Sequence, residues 1–89
     1  MSFKIRVYKN SSFKDHRGYY WTSWKKGSVK NMQFNHDKFS LSKKNVLRGL
    51  HGDNKTWKLV SCAFGKFFMV VVNCEKNSKD FLKWKSWTL

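Results

Sequence analysis

Three observations on the sequence predict an all-β domain, in the form of an antiparallel sandwich or barrel. Short segments rich in β-branched and aromatic residues recur at near-regular spacing along the 89 residues. Residues typical of turns separate these segments, and no window of eleven residues shows the apolar period of 3.6 that marks an amphipathic helix. The jelly roll is one architecture of this class. We therefore expect strands throughout and very little helix.

Residues 1–45 predict three strands. Residues 3–8 alternate apolar and polar side chains, as a strand with one solvated face should, and the polar residues 10–12 end this strand. Residues 19–24 are rich in aromatic and β-branched side chains and form the second predicted strand. Residues 32–42 predict a further strand, which a polar turn at 42–45 follows.

Residues 46–89 predict the centre of the sheet and a final strand. Residues 46–51 and 57–64 flank a turn at 52–55, and residues 67–72 are almost entirely apolar. We expect these three segments to be successive strands of a buried sheet. Residues 81–89 alternate again, and an unpaired final strand would invite another chain to add to its edge.

Composition and charge narrow the classes of protein. The sequence is 40% apolar and 18% aromatic, which is too much for a disordered chain, and 89 residues allow one domain at most. Lys+Arg number 19 against 5 Asp+Glu, for a net charge of +14. This charge suits a surface for nucleic acid or acidic lipid, a merely solvated surface, or a protein whose acidic portion is elsewhere. Because the cations are dispersed, with no run longer than two, a dedicated nucleic-acid surface is disfavoured.

Targeting signals and cysteines point to a reducing compartment. The first residues have no apolar run suited to a signal peptide, and no stretch of about 18 apolar residues predicts a membrane span, so we expect a cytoplasmic protein. Cys62 and Cys74 are twelve residues apart and match no zinc spacing. We expect two buried, reduced thiols.

The residues most suited to chemistry lie between 45 and 58. Histidine is the side-chain type best suited to proton transfer near neutral pH, so His51 is a candidate base for a proton next to a carbonyl group. A core histidine with satisfied hydrogen bonds is the plainer alternative. Gly49 allows a bulge that would re-aim Arg48 or His51, and it also allows a ligand to approach the backbone closely. Lys58 follows across the turn, where we expect it beside His51 with the charge that an enolate oxygen needs. The three histidines show no metal-ligand spacing, so no metal site is predicted.

Several motifs together resemble a known family. Residues 13–18, 37–42, the Arg-Gly-Leu-His of 48–51 and the Lys-Leu-Val of 58–60 occur in the order found in the N-terminal half of the dTDP-4-dehydrorhamnose 3,5-epimerase family. The members of this family are nucleotide-sugar epimerases with a cupin fold, a form of jelly roll. Residues 21–22, and the stretch that begins at His51, resemble more closely the branch that acts on GDP-4-keto-6-deoxyheptoses.

The resemblance implies roles for individual residues. His51 matches the base that removes the proton next to the 4-keto group, and Lys58 matches the lysine near the developing enolate. Arg48 matches the arginine that holds the diphosphate, and Arg17 an arginine that contacts the nucleotide, often across a dimer interface. Asp53 joins these arginines as a predicted substrate-binding residue. Neither a metal nor a redox cofactor is implied, because the ketone of the substrate acidifies the proton.

Length is where the sequence departs from the family. Family members are longer, and their second half supplies the acid tyrosine and the aspartate that pairs with the base. We therefore expect residues 1–89 to be a single, incomplete N-terminal part of a cupin domain, active only when complemented, and a homodimer through strand exchange. The alternatives are a non-catalytic remnant that binds sugar nucleotides, or a small basic nucleic-acid-binding β-domain with Trp21, Trp24, Trp84 and Trp87 as stacking platforms.

Overall fold

A computed structural model describes residues 5–89 and shows an all-β, antiparallel fold. Its four strands are β1 (Ser12–Asp15), β2 (Gly18–Trp21), β3 (Phe68–Val72) and β4 (Trp84–Thr88). They form two separate two-stranded sheets, β1 with β2 and β3 with β4. Residues 5–89 contain no α-helix, and nothing in this range is a helix long and apolar enough to cross a membrane. The predicted fold class is thus confirmed.

The first hairpin pairs aromatic residues across its strands. Its register runs from Ser12 opposite Trp21 to Asp15 opposite Gly18, around a two-residue turn. Gly18 has a φ of 130°, a backbone conformation that side-chain-bearing residues rarely adopt, so glycine suits this end of the turn. Phe13 stacks on the facing Tyr20 at 5.6 Å between ring centroids. Such cross-strand aromatic pairs stabilise a short hairpin that has no other strand beside it.

The second hairpin is longer and joins residues distant in sequence. Phe68 faces Thr88 and Val72 faces Trp84, and mutual backbone bonds of 3.1 and 2.9 Å between Phe67 and Leu89 extend the ladder. Residues 73–83 connect the strands as a closed loop. The run of valines and methionine in β3 supplies side chains that favour a strand, and four of its five residues are partly buried.

A buried polar network fixes the loop at 73–83. Asn73 and Ser78 are each only 8% exposed, and the Asn73 amide donates to the Ser78 hydroxyl at 3.1 Å. The Asn73 side-chain oxygen accepts from the Glu75 amide at 3.0 Å, and the Ser78 hydroxyl accepts from the Asp80 amide at 3.0 Å. Each buried polar group therefore has a partner, which avoids the desolvation cost of an unmade hydrogen bond.

The apolar core is small. In the described range Val29, at 6% exposure, is the buried hydrophobic residue, and Trp24 packs edge-on against Phe34 nearby in sequence. The two hairpins do not contact each other. The radius of gyration is 15.5 Å, compared with about 12 Å expected for a compact domain of this length. The molecule is therefore more extended than a typical globular domain of its size.

Three of the predicted strands are wrong in this structure. Residues 32–42, 46–51 and 57–64 form no strand, and Leu47 and Leu50 are 91% and 77% exposed. The residue types favour strands, but a strand also needs a neighbour to satisfy its backbone groups, and none pairs with these segments in residues 5–89. The expected buried sheet is therefore reduced to β3 and β4.

The other strand predictions have mixed outcomes. Of the strand predicted at 3–8, residues 3 and 4 lie outside the described residues, and 5–8 form no strand. Residues 10–12 were predicted to end a strand, whereas β1 begins at Ser12. The second predicted strand becomes β2, which ends earlier, at Trp21. The strand predicted at 67–72 is confirmed as β3, which begins at Phe68, whereas the strand predicted at 81–89 forms only from Trp84 to Thr88 as β4.

Both cysteines are free thiols, but their predicted burial is wrong. Cys62 is only partly buried, and its thiol lies 3.4 Å from the Phe64 carbonyl and 3.3 Å from that of Gly65. Cys74 is exposed, because it lies just beyond β3 in the loop at the end of the hairpin. The apolar residues around each thiol belong to segments that no second layer covers.

Candidate functional site

The residues that resemble the family's active site lie in a segment without regular structure, residues 45–58, which we call the motif segment. It begins at the predicted polar turn, where Asn45 has a φ of 67°, a left-handed conformation that asparagine tolerates. Arg48 donates from Nη2 to the Leu41 carbonyl at 3.1 Å. This bond ties the motif segment to the residues before the turn and leaves the other guanidinium donors open.

Gly49 and His51 fit closely together. Gly49 has a φ of 109°, and a Cβ atom there would lie 3.3 Å from both the backbone nitrogen and Nδ1 of His51. The imidazole therefore folds back over the glycine, and only glycine fits both the backbone conformation and the space without strain. His51 itself is exposed to solvent. The contact between Gly49 and His51 was not predicted, and no strand is present here for the expected bulge to interrupt.

Asp53 organises the turn that follows His51. Its Oδ1 accepts hydrogen bonds from the backbone amides of Lys55 and Thr56, both at 2.8 Å, and from the Thr56 hydroxyl at 2.9 Å. An aspartate that caps the backbone two and three residues on forms an Asx-type turn. Thr56 is a site residue that the sequence reasoning missed, and the Asp-x-x-Thr spacing is the signal that would have found it.

The same turn carries Lys58 back toward Asp53. The Lys58 Nζ lies 3.9 Å from Asp53 Oδ2, with both side chains about half exposed. Three hydrogen bonds from Lys55 and Thr56 hold the pKa of the Asp53 carboxyl below its ordinary value of 3.8, and the Lys58 charge contributes less. Asp53 is consequently a carboxylate at neutral pH.

The expected position of Lys58 beside His51 stays a prediction. Across residues 5–89, no hydrogen bond or ion pair joins the two side chains, and Lys58 is held by Asp53 instead. Of the five predicted site residues, the structure brings together Asp53 and Lys58 in direct contact. Arg48 and His51 are near them along the chain, while Arg17 belongs to the first hairpin.

Arg17 occupies the turn between β1 and β2. Its backbone amide donates to Asp15 Oδ1 at 2.8 Å, and its Nη2 and Nε donate to Asp15 Oδ2 at 2.6 and 3.1 Å. The guanidinium bonds hold the pKa of Asp15 below 3.8, with the backbone bond adding to them. An open cavity of about 350 Å³ lies here, lined by Asp15, Arg17, Gly18, Tyr19 and Tyr20. The Arg17 charge in this cavity is paired with Asp15, a partner that the sequence reasoning missed.

Across residues 5–89, no three side chains of the His, Cys, Asp and Glu types come close enough to share a metal ion. The charged or titratable groups in the motif segment are an imidazole, a guanidinium, a carboxylate and the ammonium groups of Lys55 and Lys58.

Comparison with known proteins now places the chain in a family. A family model described as dTDP-4-dehydrorhamnose 3,5-epimerase matches residues 4–89 and so includes the whole motif segment. The chain belongs to this family. The resemblance inferred from the Arg-Gly-Leu-His and Lys-Leu-Val motifs is thereby confirmed.

Curated relatives carry the same description. The dTDP-4-dehydrorhamnose 3,5-epimerase of Salmonella typhimurium is 41% identical over 88 residues, which cover 90% of this chain and 48% of the relative. The Escherichia coli protein is 39% identical, with 81% of this chain and 43% of the relative covered. The Neisseria gonorrhoeae protein is 34% identical, covering 96% of this chain and 28% of its own length.

The chain thus spans about half the length of the Salmonella and Escherichia coli relatives. No solved structure matches it significantly. Because these relatives are named for the rhamnose substrate, assignment to the heptose branch from residues 21–22 and the His51 stretch stays a prediction.

Proposed function

We propose that this chain carries the base side of the active site of a nucleotide-sugar 3,5-epimerase. Its substrate class is a nucleoside diphosphate linked to a 4-keto-6-deoxy sugar. The observation that carries the proposal is the family match over residues 4–89, a range that includes the motif segment. The same segment presents His51, Arg48 and Lys58 to solvent, where a substrate can reach them.

The chemistry is a proton transfer. A carbonyl group at C4 acidifies the hydrogens on the neighbouring carbons, C3 and C5, because the carbanion is stabilised as an enolate. The imidazole of His51 accepts this proton as a general base. The ammonium of Lys58 stabilises the charge that develops on the enolate oxygen. Return of the proton to the opposite face inverts the carbon.

The positively charged residues have separate roles in binding the substrate. Arg48 keeps open guanidinium donors for the diphosphate, and Arg17, in the cavity beside Tyr19 and Tyr20, contacts the nucleotide. Asp53 holds Lys58 through an exposed ion pair at 3.9 Å. Exposed pairs of this kind are weak, so Lys58 can leave Asp53 for the substrate at little cost.

Inversion also needs an acid on the opposite face of the sugar, and we propose that it belongs to the complete assembly. In this proposal the two hairpins are part of a cupin jelly roll that further polypeptide completes, and two copies form a homodimer. The ketone of the substrate replaces any cofactor. Cytoplasmic deoxysugar biosynthesis for surface polysaccharide is the proposed setting, since it uses this class of substrate.

The experiment is hydrogen–deuterium exchange at C3 and C5 of the substrate, followed by NMR in deuterated water. The full chain is mixed with the part of the Salmonella relative that it does not cover, and dTDP- and GDP-linked 4-keto-6-deoxy sugars are compared. We expect exchange that His51→Ala reduces by at least about 100-fold, the lower end of the range for loss of a general base. His36→Ala is the control, because His36 is exposed and lies outside the motif segment.

Two results would contradict this proposal. One is an absence of exchange with both substrates, in the mixture and in the chain alone. The other is exchange that His51→Ala and His36→Ala leave equally unchanged.

A second candidate function is binding of a sugar nucleotide without turnover. The observation in its favour is that no hydrogen bond within residues 5–89 orients the His51 imidazole, whereas a catalytic base is normally held by a partner. This candidate predicts binding of dTDP or GDP that Arg17→Ala or Arg48→Ala weakens, with no deuterium entering the sugar. Exchange dependent on His51 would exclude it.

A further inference from the structure

The Thr56 hydroxyl lies between the two carboxylate oxygens of Asp53. Its Oγ1 is 2.9 Å from Oδ1 and 3.0 Å from Oδ2, so both oxygens are within hydrogen-bonding distance. A hydroxyl carries one proton and therefore donates fully to one oxygen at a time. It can change between the two acceptors by rotating about its Cβ–Oγ1 bond, without any movement of the backbone.

The two oxygens of Asp53 differ in their other partners. Oδ1 also accepts from the backbone amides of Lys55 and Thr56, both at 2.8 Å, and two donors occupy the two lone pairs of one carboxylate oxygen. Oδ2 has no backbone donor among residues 5–89, and it faces the Lys58 ammonium at 3.9 Å. The Thr56 hydroxyl and the Lys58 ammonium are therefore alternative partners of Oδ2.

Lys58 gives up this contact when it acts on the substrate. In the proposed reaction its ammonium moves toward the enolate oxygen, which leaves Oδ2 without its cation. The pair is exposed to solvent, with 56% of the Lys58 side chain and 42% of the Asp53 side chain accessible, so the loss is modest. A hydroxyl donor that is already 3.0 Å from Oδ2 offsets this loss.

We propose that Thr56 is a positioning residue, whose hydroxyl replaces Lys58 on Asp53 Oδ2 when the lysine moves to the substrate. Thr56 itself does not contact the substrate in this scheme. Asp53 acts on the substrate through Lys58, because its lone pairs are taken up within its own turn. The inference rests on the proposed function, since it concerns the lysine that the proton transfer uses.

The first test measures this exchange of partners in the free chain, without substrate. Lys58→Gln removes the ammonium and so imitates its departure. Thr56→Val keeps the shape of the side chain but removes the hydroxyl, and it should raise the pKa of Asp53 toward its ordinary value. The rise should be larger in the Lys58→Gln chain, where the hydroxyl is the remaining partner of Oδ2. Titration followed by carboxyl carbon NMR measures both shifts.

Lys55→Gln provides the matched background for this titration. It removes an ammonium from the same turn but keeps the backbone amide that donates to Asp53 Oδ1. In the Lys55→Gln chain, Thr56→Val should raise the Asp53 pKa by the same amount as in the unchanged chain.

The second test measures deuterium exchange into the substrate by the complemented chain. Thr56→Val should lower kcat about three- to tenfold with little change in KM, because a hydrogen bond gained only as Lys58 departs stabilises the transition state and not the bound substrate. Thr56→Ser keeps the hydroxyl and should restore most of the rate. Thr88→Val removes a hydroxyl from an exposed position of β4, outside the motif segment, and should leave both constants unchanged.

Three results would overturn the proposal. Equal effects of Thr56→Val on the Asp53 pKa in the Lys58→Gln and Lys55→Gln chains would show that the hydroxyl does not replace the lysine. A change in KM alone would make Thr56 a substrate contact. Equal losses of rate in Thr56→Val and Thr56→Ser would make the shape of the side chain, and not its hydrogen bond, the important property.

Failure of the proposed function has a different signature. A complemented chain that incorporates no deuterium in any variant contradicts epimerisation. The titration of the free chain still decides whether Thr56 replaces Lys58 on Asp53, because it requires neither substrate nor turnover.

Discussion

The second hairpin and the motif segment are both apolar-rich stretches predicted to be strands, yet only the hairpin folds as a sheet. In the hairpin, β3 finds β4 as a partner, and the connecting loop closes on the buried Asn73 and Ser78. In the motif segment no strand forms, every residue is exposed, and order comes from the Asp53 turn and the Arg48 bond.

The difference shows what each kind of interaction requires. The Asp53 turn joins residues at most three positions apart, so the local sequence suffices to close it. A ladder of backbone hydrogen bonds needs a second strand at the right distance and register. The motif segment therefore keeps its local turn chemistry without the sheet, and the following predictions test this distinction.

The largest expected effect on stability is in the loop of the second hairpin. Asn73→Leu removes the partner of the Ser78 hydroxyl and of the Glu75 amide in a buried setting. We expect the free energy of unfolding to fall by about 2–3 kcal/mol, as for other buried polar groups left unsatisfied. Urea denaturation measures this loss. Asn77→Leu, at an exposed position of the same loop, is the matched control, and an equal effect of the two changes would refute the role of the network.

Next in size is an effect on the geometry of the site. Gly49→Ala forces a side chain into a backbone with a φ of 109° and into the space of the His51 imidazole. The strain is about 1–2 kcal/mol, so we expect exchange by the complemented chain to fall about tenfold. Because the motif segment is exposed, the urea midpoint should hardly change.

Gly52→Ala is the matched control for this change, since a Cβ there meets nothing within 4 Å. The His51 ring signals in NMR provide a readout independent of activity. They should move in Gly49→Ala and stay in place in Gly52→Ala, and the reverse pattern would contradict the packing of His51 on Gly49.

A smaller effect, of opposite sign, is expected at Leu82 in the second hairpin. Leu82 has a φ of 65°, a left-handed conformation that is costly for a branched side chain, and it is 59% exposed. Leu82→Gly relieves this strain and should stabilise the fold by about 0.5–1 kcal/mol. Lys79→Gly, in the same loop without a positive φ, should destabilise slightly. Thermal unfolding followed by circular dichroism tests the pair, and destabilisation by both would argue against strain at Leu82.

The smallest expected effect is a shift in the titration of Asp53. The hydrogen bonds from Lys55 and Thr56 lower its pKa, so the Asp53 turn is stabilised above about pH 3.8 and loses this stabilisation as the pH falls through the lowered pKa. Thr56→Val removes one donor and should raise the pKa toward 3.8. Lys58→Gln should raise it less, because the lysine charge is the weakest of the causes. Carboxyl carbon NMR measures both, and the opposite ranking would show that the ion pair dominates.

Parts of the fold and site were predictable because they depend on neighbours in sequence. The polar turn before residue 46 and the turn at Asp53 both appear where their residue types predict them. The exposure of Cys74 and the pairing of Lys58 with Asp53 were missed. Both depend on which surfaces and side chains the folded chain brings together, and periodicity along one segment does not contain that information.

By itself, the sequence determined the all-β class, the family and the local turns, because these follow from residue type and from spacing within a few positions. Only the tertiary structure decided which β-prone segments became strands. Val70 and Leu47 are both apolar residues in segments that favour β-structure, but Val70 lies in a strand paired with β4, whereas Leu47 has no paired strand and is 91% exposed. The physical reason is that each strand depends on backbone hydrogen bonds to a neighbouring strand, which periodicity within one segment does not specify.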